Sequence, residues 1–433
     1  MTKGFLEELG SRGLLYQQTA DSELKDHLAS GPRVGYCGFD PTADSLTIGN
    51  LVAIKLLGLW QRAGHKPLVV MGGATGLIGD PSGKDKERPL ITRDMVEENI
   101  AGQLRVFKRF LDFDEKNPAK AEILNNADWL SGLSFVDALR DVGKHFSVNS
   151  MILRDSVKTR LEERAQGISY TEFSYVLLQA YDFLELRRSR QCTVQMAGSD
   201  QYGNIVAGID LVRRVLGSEG QGCFGVTAPL LTHSDGRKIG KSEGSVLWLT
   251  RERTSPFTFY QYWINVADEE VGNFLNWFTY FSKNEILDIL EVHKKNPGKR
   301  HAQRNLAQHM TDLLYGSGER SQIELASETL FGGGDPRAIP EDILSQVVSD
   351  LPHTEHFLDL ASSRLPLLDL LPETSLASSK REAREFLKNG AIWVNGRKAL
   401  LADNVTVSDL LPGRALLLRR GKKKWHASTF KKR

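Results

Sequence analysis

Cysteine is scarce in this chain. Cys37, Cys192 and Cys223 are the only three in 433 residues, and no two of them form a CxxC pair. That excludes a disulfide framework and a cysteine-built zinc site, and it points to a reducing compartment. Long apolar runs are missing as well, none reaching the roughly 20 residues that a bilayer span requires. The segment from Met1 to Glu8 has neither the apolar stretch of a secretory signal nor the Arg/Ser-rich pattern of an organelle leader, so a cytoplasmic location is expected. No internal repeat is visible. Hydrophobic and charged fractions of 40% and 25% are ordinary for a folded globular chain, and 433 residues suffice for two or three domains.

The common nucleotide loops are absent too. Gly240-Lys241-Ser242 ends like a P-loop, but the glycine needed five places earlier is Asp235, and Gly236 is one residue too close. Gly83-Lys84 fails twice, with Ile78 in the glycine position and Asp85 where Ser or Thr belongs. Gly73, Gly76 and Gly79 are spaced GxxGxxG, not the GxGxxG of a dinucleotide fold. Each glycine cluster taken singly is a turn. The glycine clusters give kinase-like and dehydrogenase readings poor support.

What the chain does have begins with charge. A net +2 hides an uneven distribution: from Leu376 to Arg433 there are fifteen Lys or Arg against four Asp or Glu, so the rest of the chain is acidic. A basic end on an acidic body suits a polyanionic partner.

The first half alternates short apolar runs with helical patterns, which predicts βαβ units and a parallel sheet. Strands are expected at Val34–Phe39, Pro67–Met71 and Thr193–Met196, and helices at Gly49–Arg62, Thr171–Leu186 and Asn204–Leu216. Beyond Ser255-Pro256 the pattern is aromatic-rich amphipathic helix. Gly332-Gly333-Gly334-Asp335-Pro336 marks a break, and the last unit mixes helix, strand and tight turn. The expected organisation is a Rossmann-like parallel-sheet α/β domain at 1–248 with a loop at 226–248. An all-α domain at 249–335, a linker at 336–365 and a small basic α+β RNA-binding domain at 366–433 follow.

Two segments invite a phosphate reading. Phe39 to Asn50 opens a helix with small residues, so backbone N–H groups and the helix dipole can face an anion. Lys238-Ile239-Gly240-Lys241-Ser242 brings two lysines and a hydroxyl on a glycine-containing loop. Together they resemble the two ATP-binding signatures of class I aminoacyl-tRNA synthetases. The stretches Tyr36–Leu46, Gly72–Ser82, Val142–Asn149, Phe173–Phe183 and Gly198–Gln201 resemble the bacterial tyrosyl-tRNA synthetase family, in that family's order and spacing, and the likeness runs from about Phe5 to the C-terminus.

The resemblance implies roles. Tyr36 and Asp182 would be donor and acceptor at the substrate's phenol, a pairing that phenylalanine cannot satisfy. Asp80, Tyr175 and Gln179 would hold the ammonium, and Gln201 the carboxylate end. Tyr175, Gln179 and Asp182 stand at i, i+4 and i+7, so one helix can present all three. Lys238, Lys241 and Ser242, with Thr42 and a second loop carrying Lys84 and Arg88, would stabilise the phosphates. Cys37, Gly38, Asp40, Thr47, Gly49, Asn50, Gly198 and Asp200 complete an ATP set that also includes Lys241, with Asp200 at the ribose. Magnesium would arrive with ATP and need no dedicated protein site.

One departure from the family stands out. The usual HIGH reads Thr47-Ile48-Gly49-Asn50, so both histidines are replaced, Thr47 keeping a hydroxyl donor and Asn50 an amide donor. The same TIGN is common in tryptophanyl enzymes, which makes tryptophan the competing substrate. A synthetase-derived RNA-binding protein without activation chemistry is the non-enzyme alternative. In the basic tail, Lys380, Arg381, Arg384 and Lys388 would line one helix against tRNA phosphates. The Val142–Asn149 region resembles the family's dimer interface, so a homodimer acting on tyrosine, ATP and tRNA is expected.

Overall fold

A six-stranded sheet forms where the sequence alternates apolar runs with helical patterns. The computed structural model describes residues 4–80, 91–152, 157–158, 167–233, 239, 241–242, 245–357, 364–421 and 424–431, with backbone alone at 241, 242 and 245. The strands are β1 (Gln17–Gln18), β2 (Val34–Phe39), β3 (Lys66–Met71), β4 (Glu122–Asn125), β5 (Cys192–Gly198) and β6 (Phe224–Ala228). They lie in the order β1-β6-β5-β2-β3-β4. All neighbours are parallel except β1, which runs antiparallel to β6. β3 and β6 are buried almost throughout, as a sheet covered by helices on both faces requires. The chain builds from β2 outward to β4 and then returns to lay β5 on the other side of β2. That reversal leaves a crevice above the C-terminal ends of β2 and β5, the place where open α/β sheets hold their ligands.

Two helices frame the crevice. Leu51–Arg62 follows a short 3₁₀ turn at Ile48–Asn50 and buries Leu51, Ile54, Leu57 and Trp60. Tyr170–Arg190 starts at Ser169, whose hydroxyl accepts from the Glu172 N–H at 3.2 Å. It ends where Gln191 turns left-handed, after a basic last turn of Arg187, Arg188 and Arg190 that suits the negative end of the helix dipole.

The chain divides into two contact units, Met1–Arg253 with Ala267–Lys295, and Thr254–Val266 with Asn296–Arg433. The stretch 249–335, read from sequence as one helical block, is thereby shared out. Helices Val271–Phe278 and Lys283–Lys295 belong to the first unit. There the Arg12 guanidinium donates to the carbonyls of Asn276 and Thr279, both at 3.0 Å, and of Phe281 at 2.7 Å. It thus partners carbonyls that the helix end leaves open. Helices Pro256–Ile264, His301–Tyr315 and Ser317–Gly332 belong to the second unit. Amphipathic periodicity identifies a helix without saying which core will close over its apolar face.

In the second unit a five-stranded sheet runs in the order Arg397–Lys398, Ile392–Val394, Ala415–Arg420, Lys424–Lys431, His353–Phe357. Its last pair is parallel and the others antiparallel. Helix Lys380–Lys388 packs Ala383 and Leu387 onto Ile392, Leu416, Leu418 and Phe430. The expected linker at 336–365 needs correction. It holds helix Glu341–Asp350, which buries Ile343, Leu344 and Val347, and strand His353–Phe357, which completes the sheet. His353-Thr354-Glu355-His356-Phe357 hides its strand character because histidines and charges carry the alternation, and only pairing with Lys424–Lys431 exposes it. No described helix is long and apolar enough to cross a membrane.

Candidate active site

Tyr36 sits on β2 with 1% of its surface exposed and its ring edge-on to Phe183, centroids 5.5 Å apart. Its hydroxyl is buried and has no hydrogen-bond partner among the described residues. A native interior rarely leaves such a group open unless something else completes it. Beside it stands Asp182, also buried, on the Tyr170–Arg190 helix. One carboxylate oxygen accepts from Trp129 Nε1 at 2.8 Å and the other from Asn126 Nδ2 at 3.1 Å. Burial pushes the Asp182 carboxyl up to about 7, against the pull of those two hydrogen bonds, and the Asp40 charge adds to the rise. Burial, with Asp182 next, in turn raises the Tyr36 phenol above its ordinary range. The pair is an unsatisfied donor next to an acceptor with lone pairs to spare, which is what a bound phenol needs.

A second layer of polar contacts ties the pocket to the crevice. Asn126 Nδ2 also donates to Thr75 Oγ1 at 2.9 Å, and its Oδ1 accepts from the Ala74 N–H at 2.8 Å. Thr75 Oγ1 donates to Asp40 at 2.8 Å, and Tyr175 Oη donates to the other Asp40 oxygen at 2.9 Å. Gly72 permits this. A Cβ there would lie 2.2 Å from Asp40 Oδ1 and 2.5 Å from Thr75 Oγ1. On the other flank Gln201 Nε2 donates to Asp80 at 2.7 Å, and Asn204 Nδ2 donates to Gln179 at 3.0 Å and Gln201 at 3.1 Å. Tyr36, Asp80, Tyr175, Gln179, Asp182 and Gln201 are therefore brought to one place.

An ionised Asp182 is the better acceptor for a phenolic hydrogen, so ligand binding there should favour the deprotonated form. We expect tyrosine affinity to rise as pH passes upward through about 7 and then level off, with proton release near neutral pH. Calorimetric titration in two buffers of different ionisation enthalpy measures this, and an unchanging affinity from pH 6 to 8 would sink the assignment.

The nucleotide side is built at the mouth of the crevice. Backbone bonds join the first signature segment to the residues that follow the second: Ile48 N–H donates to Leu247 at 3.1 Å and Leu249 N–H to Leu46 at 2.8 Å, with Thr47 bridging Trp248. Lys241–Ser242 pairs with Ser245–Val246 in a short hairpin just before that anchor. Residues 247–249 are thus held against the turn that precedes the Leu51–Arg62 helix. Thr42 and Gly49 are exposed there, as is Asp200. Gly38 is exposed although it lies in a central strand, and a Cβ added to it meets no described atom within 4 Å.

Two of the expected nucleotide-side residues are turned inward. The Thr47 hydroxyl and its own N–H both donate to Asn50 Oδ1 at 2.9 Å, a reciprocal cap that spends the hydroxyl hydrogen. The donor left for an anion from this pair is the Asn50 amide. Cys37 is buried, its thiol 3.7 Å from the Ala53 carbonyl and held above the ordinary thiol range by burial. Lys84, Arg88 and Lys238 lie outside the described residues, as do the side chains of Lys241 and Ser242. Among the described residues no cluster of three or more His, Cys, Asp or Glu could hold a metal ion.

Sequence reasoning passed over Thr75, Asn126, Trp129 and Asn204. The signal for two of them was present: Asn126-Ala127-Asp128-Trp129 follows directly on β4, at the C-terminal strand end where ligands gather.

The tail places its cations separately. Lys380, Arg381, Arg384 and Lys388 are all exposed on helix Lys380–Lys388. Lys380 pairs with Asp369 at 2.7 Å. Arg381, Arg384 and Lys388 lie at i, i+3 and i+7 and so share a stripe.

With this geometry in place, comparison with known proteins is specific. The chain matches the family "tRNA synthetases class I (W and Y)" over residues 30–332 and the "Tyrosine--tRNA ligase SYY-like C-terminal domain" over 343–427. It is 48% identical to tyrosine–tRNA ligase 2 of Enterococcus faecalis, over 98% of this chain and 99% of that one. It is 45% identical to the tyrosine–tRNA ligase of Aliivibrio fischeri over 99% of each. A C-terminally truncated mitochondrial tyrosyl-tRNA synthetase of Aspergillus nidulans superposes with a TM-score of 0.69 at 29% identity, covering 76% of this chain and 95% of that one. Two matched family domains and likeness over the full chain converge: the chain belongs to the tyrosine–tRNA ligase family of class I tRNA synthetases.

Proposed function

We propose that this chain activates tyrosine with ATP, forming tyrosyl-adenylate and pyrophosphate, and then transfers the tyrosyl group to the 3′ end of tRNA(Tyr). The observation that carries this reading is the open Tyr36 hydroxyl beside the Asp182 carboxylate. The tyrosine carboxylate attacks the α-phosphorus in line, the bond to the β-phosphate oxygen breaks, and pyrophosphate leaves. A ribose hydroxyl of the tRNA end then attacks the activated carbonyl and AMP departs. No covalent enzyme intermediate is needed, so the protein's work is positioning and charge stabilisation.

In this reading Tyr36 and Asp182 grip the phenol, while Asp80, Tyr175 and Gln179 take the ammonium and Gln201 the carboxylate end. Cys37, Gly38, Asp40, Thr47, Gly49, Asn50, Gly198 and Asp200 bound the adenosine side, and Thr42, Lys84, Arg88, Lys238, Lys241 and Ser242 serve the phosphates. Magnesium enters as part of the ATP complex. Residues 1–248 carry the chemistry and 366–433 the RNA contact, in the cytoplasm. Amino-acid-dependent ATP–pyrophosphate exchange with tyrosine, tryptophan and phenylalanine side by side tests the activity. Exchange with tyrosine alone is expected. Exchange with tryptophan would overturn the specificity, and silence with all three in a folded protein would leave only an RNA-binding role.

Two finer parts of the reading have their own tests. Phe135, Val136, Leu139, Val148 and Ile152 are 40–68% exposed along a short helical stretch, an apolar surface that a second copy of the chain would cover. Analytical ultracentrifugation should find a dimer, and Leu139→Glu should shift it toward monomer. For tRNA, neutralising Arg381, Arg384 and Lys388 together with Gln should lower the salt dependence of binding. Loss of up to three phosphate contacts reduces the log–log slope by roughly 2–3. An unchanged slope would remove this helix from the RNA contact.

A further inference from the structure

The segment that leaves β6 is held at His233. Residues 229–233 follow that strand and precede the second signature, whose Lys238 and Lys241 stand five and eight positions beyond His233. Leu230, 55% exposed, lies beside Gly198: a Cβ added to that glycine would be 3.3 Å from Leu230 Cδ2. Three residues later, His233 Nδ1 is 3.1 Å from each carboxylate oxygen of Glu270. A carboxylate oxygen only accepts, so Nδ1 carries the hydrogen and donates to both. The His233 side chain is 18% exposed and that of Glu270 12%. This pair is therefore largely shielded from water, unlike the exposed ion pairs that contribute little.

The holding side is built on one helical turn. Glu270 immediately precedes helix Val271–Phe278, and its carboxylate makes no capping bond to that helix. Phe274, four residues on and 1% exposed, sets its ring 5.8 Å from the imidazole. Positions i and i+4 share a helix face, so the turn offers a carboxylate to the N–H and a ring to the imidazole body. All three residues belong to the contact unit that contains the crevice. Beyond the signature, residues 247–249 are held by main-chain bonds to 46–48. The chain is thus fixed on both sides of the signature. After it the hold is main-chain bonding that most residue types could make. Before it the hold is a side-chain contact that depends on what stands at position 233.

We propose that His233 is a positioning residue for ATP: its contact with Glu270 fixes residues 229–233 against the crevice, keeping Leu230 beside Gly198 and setting where the chain enters the second signature. The imidazole touches no reacting atom. This inference rests on the activation chemistry proposed above. The test is pyrophosphate exchange and equilibrium tyrosine binding, both with the full chain. His233→Phe keeps a ring against Phe274 and loses the N–H. Its KM for ATP is expected to rise about tenfold, the scale of one hydrogen bond to a charged group, with the tyrosine dissociation constant and the circular dichroism spectrum unchanged. His233→Asn, which puts an amide N–H close to where Nδ1 stood, should restore most of the ATP affinity although it lacks the ring. Glu270→Ala should raise the KM for ATP at least as far, and adding His233→Phe to it should raise it no further. An unchanged KM for ATP in His233→Phe, equal weakening of ATP and tyrosine, no rescue by His233→Asn, or additive losses in the double variant would each overturn the proposal. Should His233→Phe fail to fold, Glu270→Ala decides the matter by the same two measurements. Exchange by the unaltered chain separates this inference from the reading beneath it. With that exchange present, the adverse outcomes remove the role of His233 alone; without it, the activation chemistry falls and the role of His233 with it.

Discussion

Asp182→Asn should cost roughly 10²–10⁴ in kcat/KM for tyrosine activation, because charge-assisted hydrogen bonds contribute about 1.5–3 kcal/mol each and two change character together. The carboxylate now accepts from both Trp129 Nε1 and Asn126 Nδ2. An amide in its place keeps one acceptor oxygen and turns its NH₂ toward the other donor. The substrate phenol, which needs an acceptor at the same carboxylate, meets the same conflict. Phenylalanine never uses that acceptor, so its activation should change far less and the tyrosine-to-phenylalanine ratio should fall. Tyrosyl-tRNA synthetases are themselves the known case of such rejection, about 10⁵-fold, so that figure is a property of the class and not one calculated from this chain. Pyrophosphate exchange with both amino acids measures the ratio. A parallel loss for both substrates would mean that Asp182 supports the fold and does not read the phenol. The same variant should also lose the rise in tyrosine affinity near pH 7.

The second large effect is expected at Gly38. A side chain there meets no described atom within 4 Å, yet the residue lies in a central strand, where such open space is unusual. Gly38→Val should leave the melting temperature equal or higher, since valine suits a strand better than glycine. The same side chain would project into the space assigned to ATP. An overlap of this kind removes most nucleotide contacts, so the KM for ATP should rise by at least about tenfold, the equivalent of 1.4 kcal/mol, with tyrosine binding little changed. Equilibrium binding of each substrate separates the two effects. Unaltered ATP affinity would place the adenosine elsewhere in the crevice.

Strand and helix positions in the first half were legible because parallel sheets leave strong marks: continuous apolar strands, small residues at the turns, and 3.6-residue periodicity between them. Val34–Phe39 is a strand over the expected residues, while Thr171–Leu186 proves to be the middle of Tyr170–Arg190, capped by Ser169 and extended by its basic last turn. The strand His353–Phe357 was not legible, since its polar, histidine-bearing sequence acquires strand character only from its neighbour. The pocket shows the same division. Tyr175, Gln179 and Asp182 could be placed on one helical face by counting. That Asn126 and Trp129 would converge on Asp182 could not, because they approach it from 56 and 53 residues away in the chain, respectively.

The sequence alone determined which chemical groups are available: the Tyr36 hydroxyl, the Asp182 carboxyl, the two signature segments and the basic tail, all carried by residue type and spacing. Tertiary structure decided what those groups are free to do. Thr47 turned its hydroxyl inward to Asn50, and Cys37 went under the helix that follows. Burial lifted Asp182 to about 7, and Tyr36 kept a hydroxyl without a partner. Hydrogen-bond partners and desolvation are set by residues distant in sequence and close in space, and these settle whether a side chain with the right chemistry is left open to a ligand.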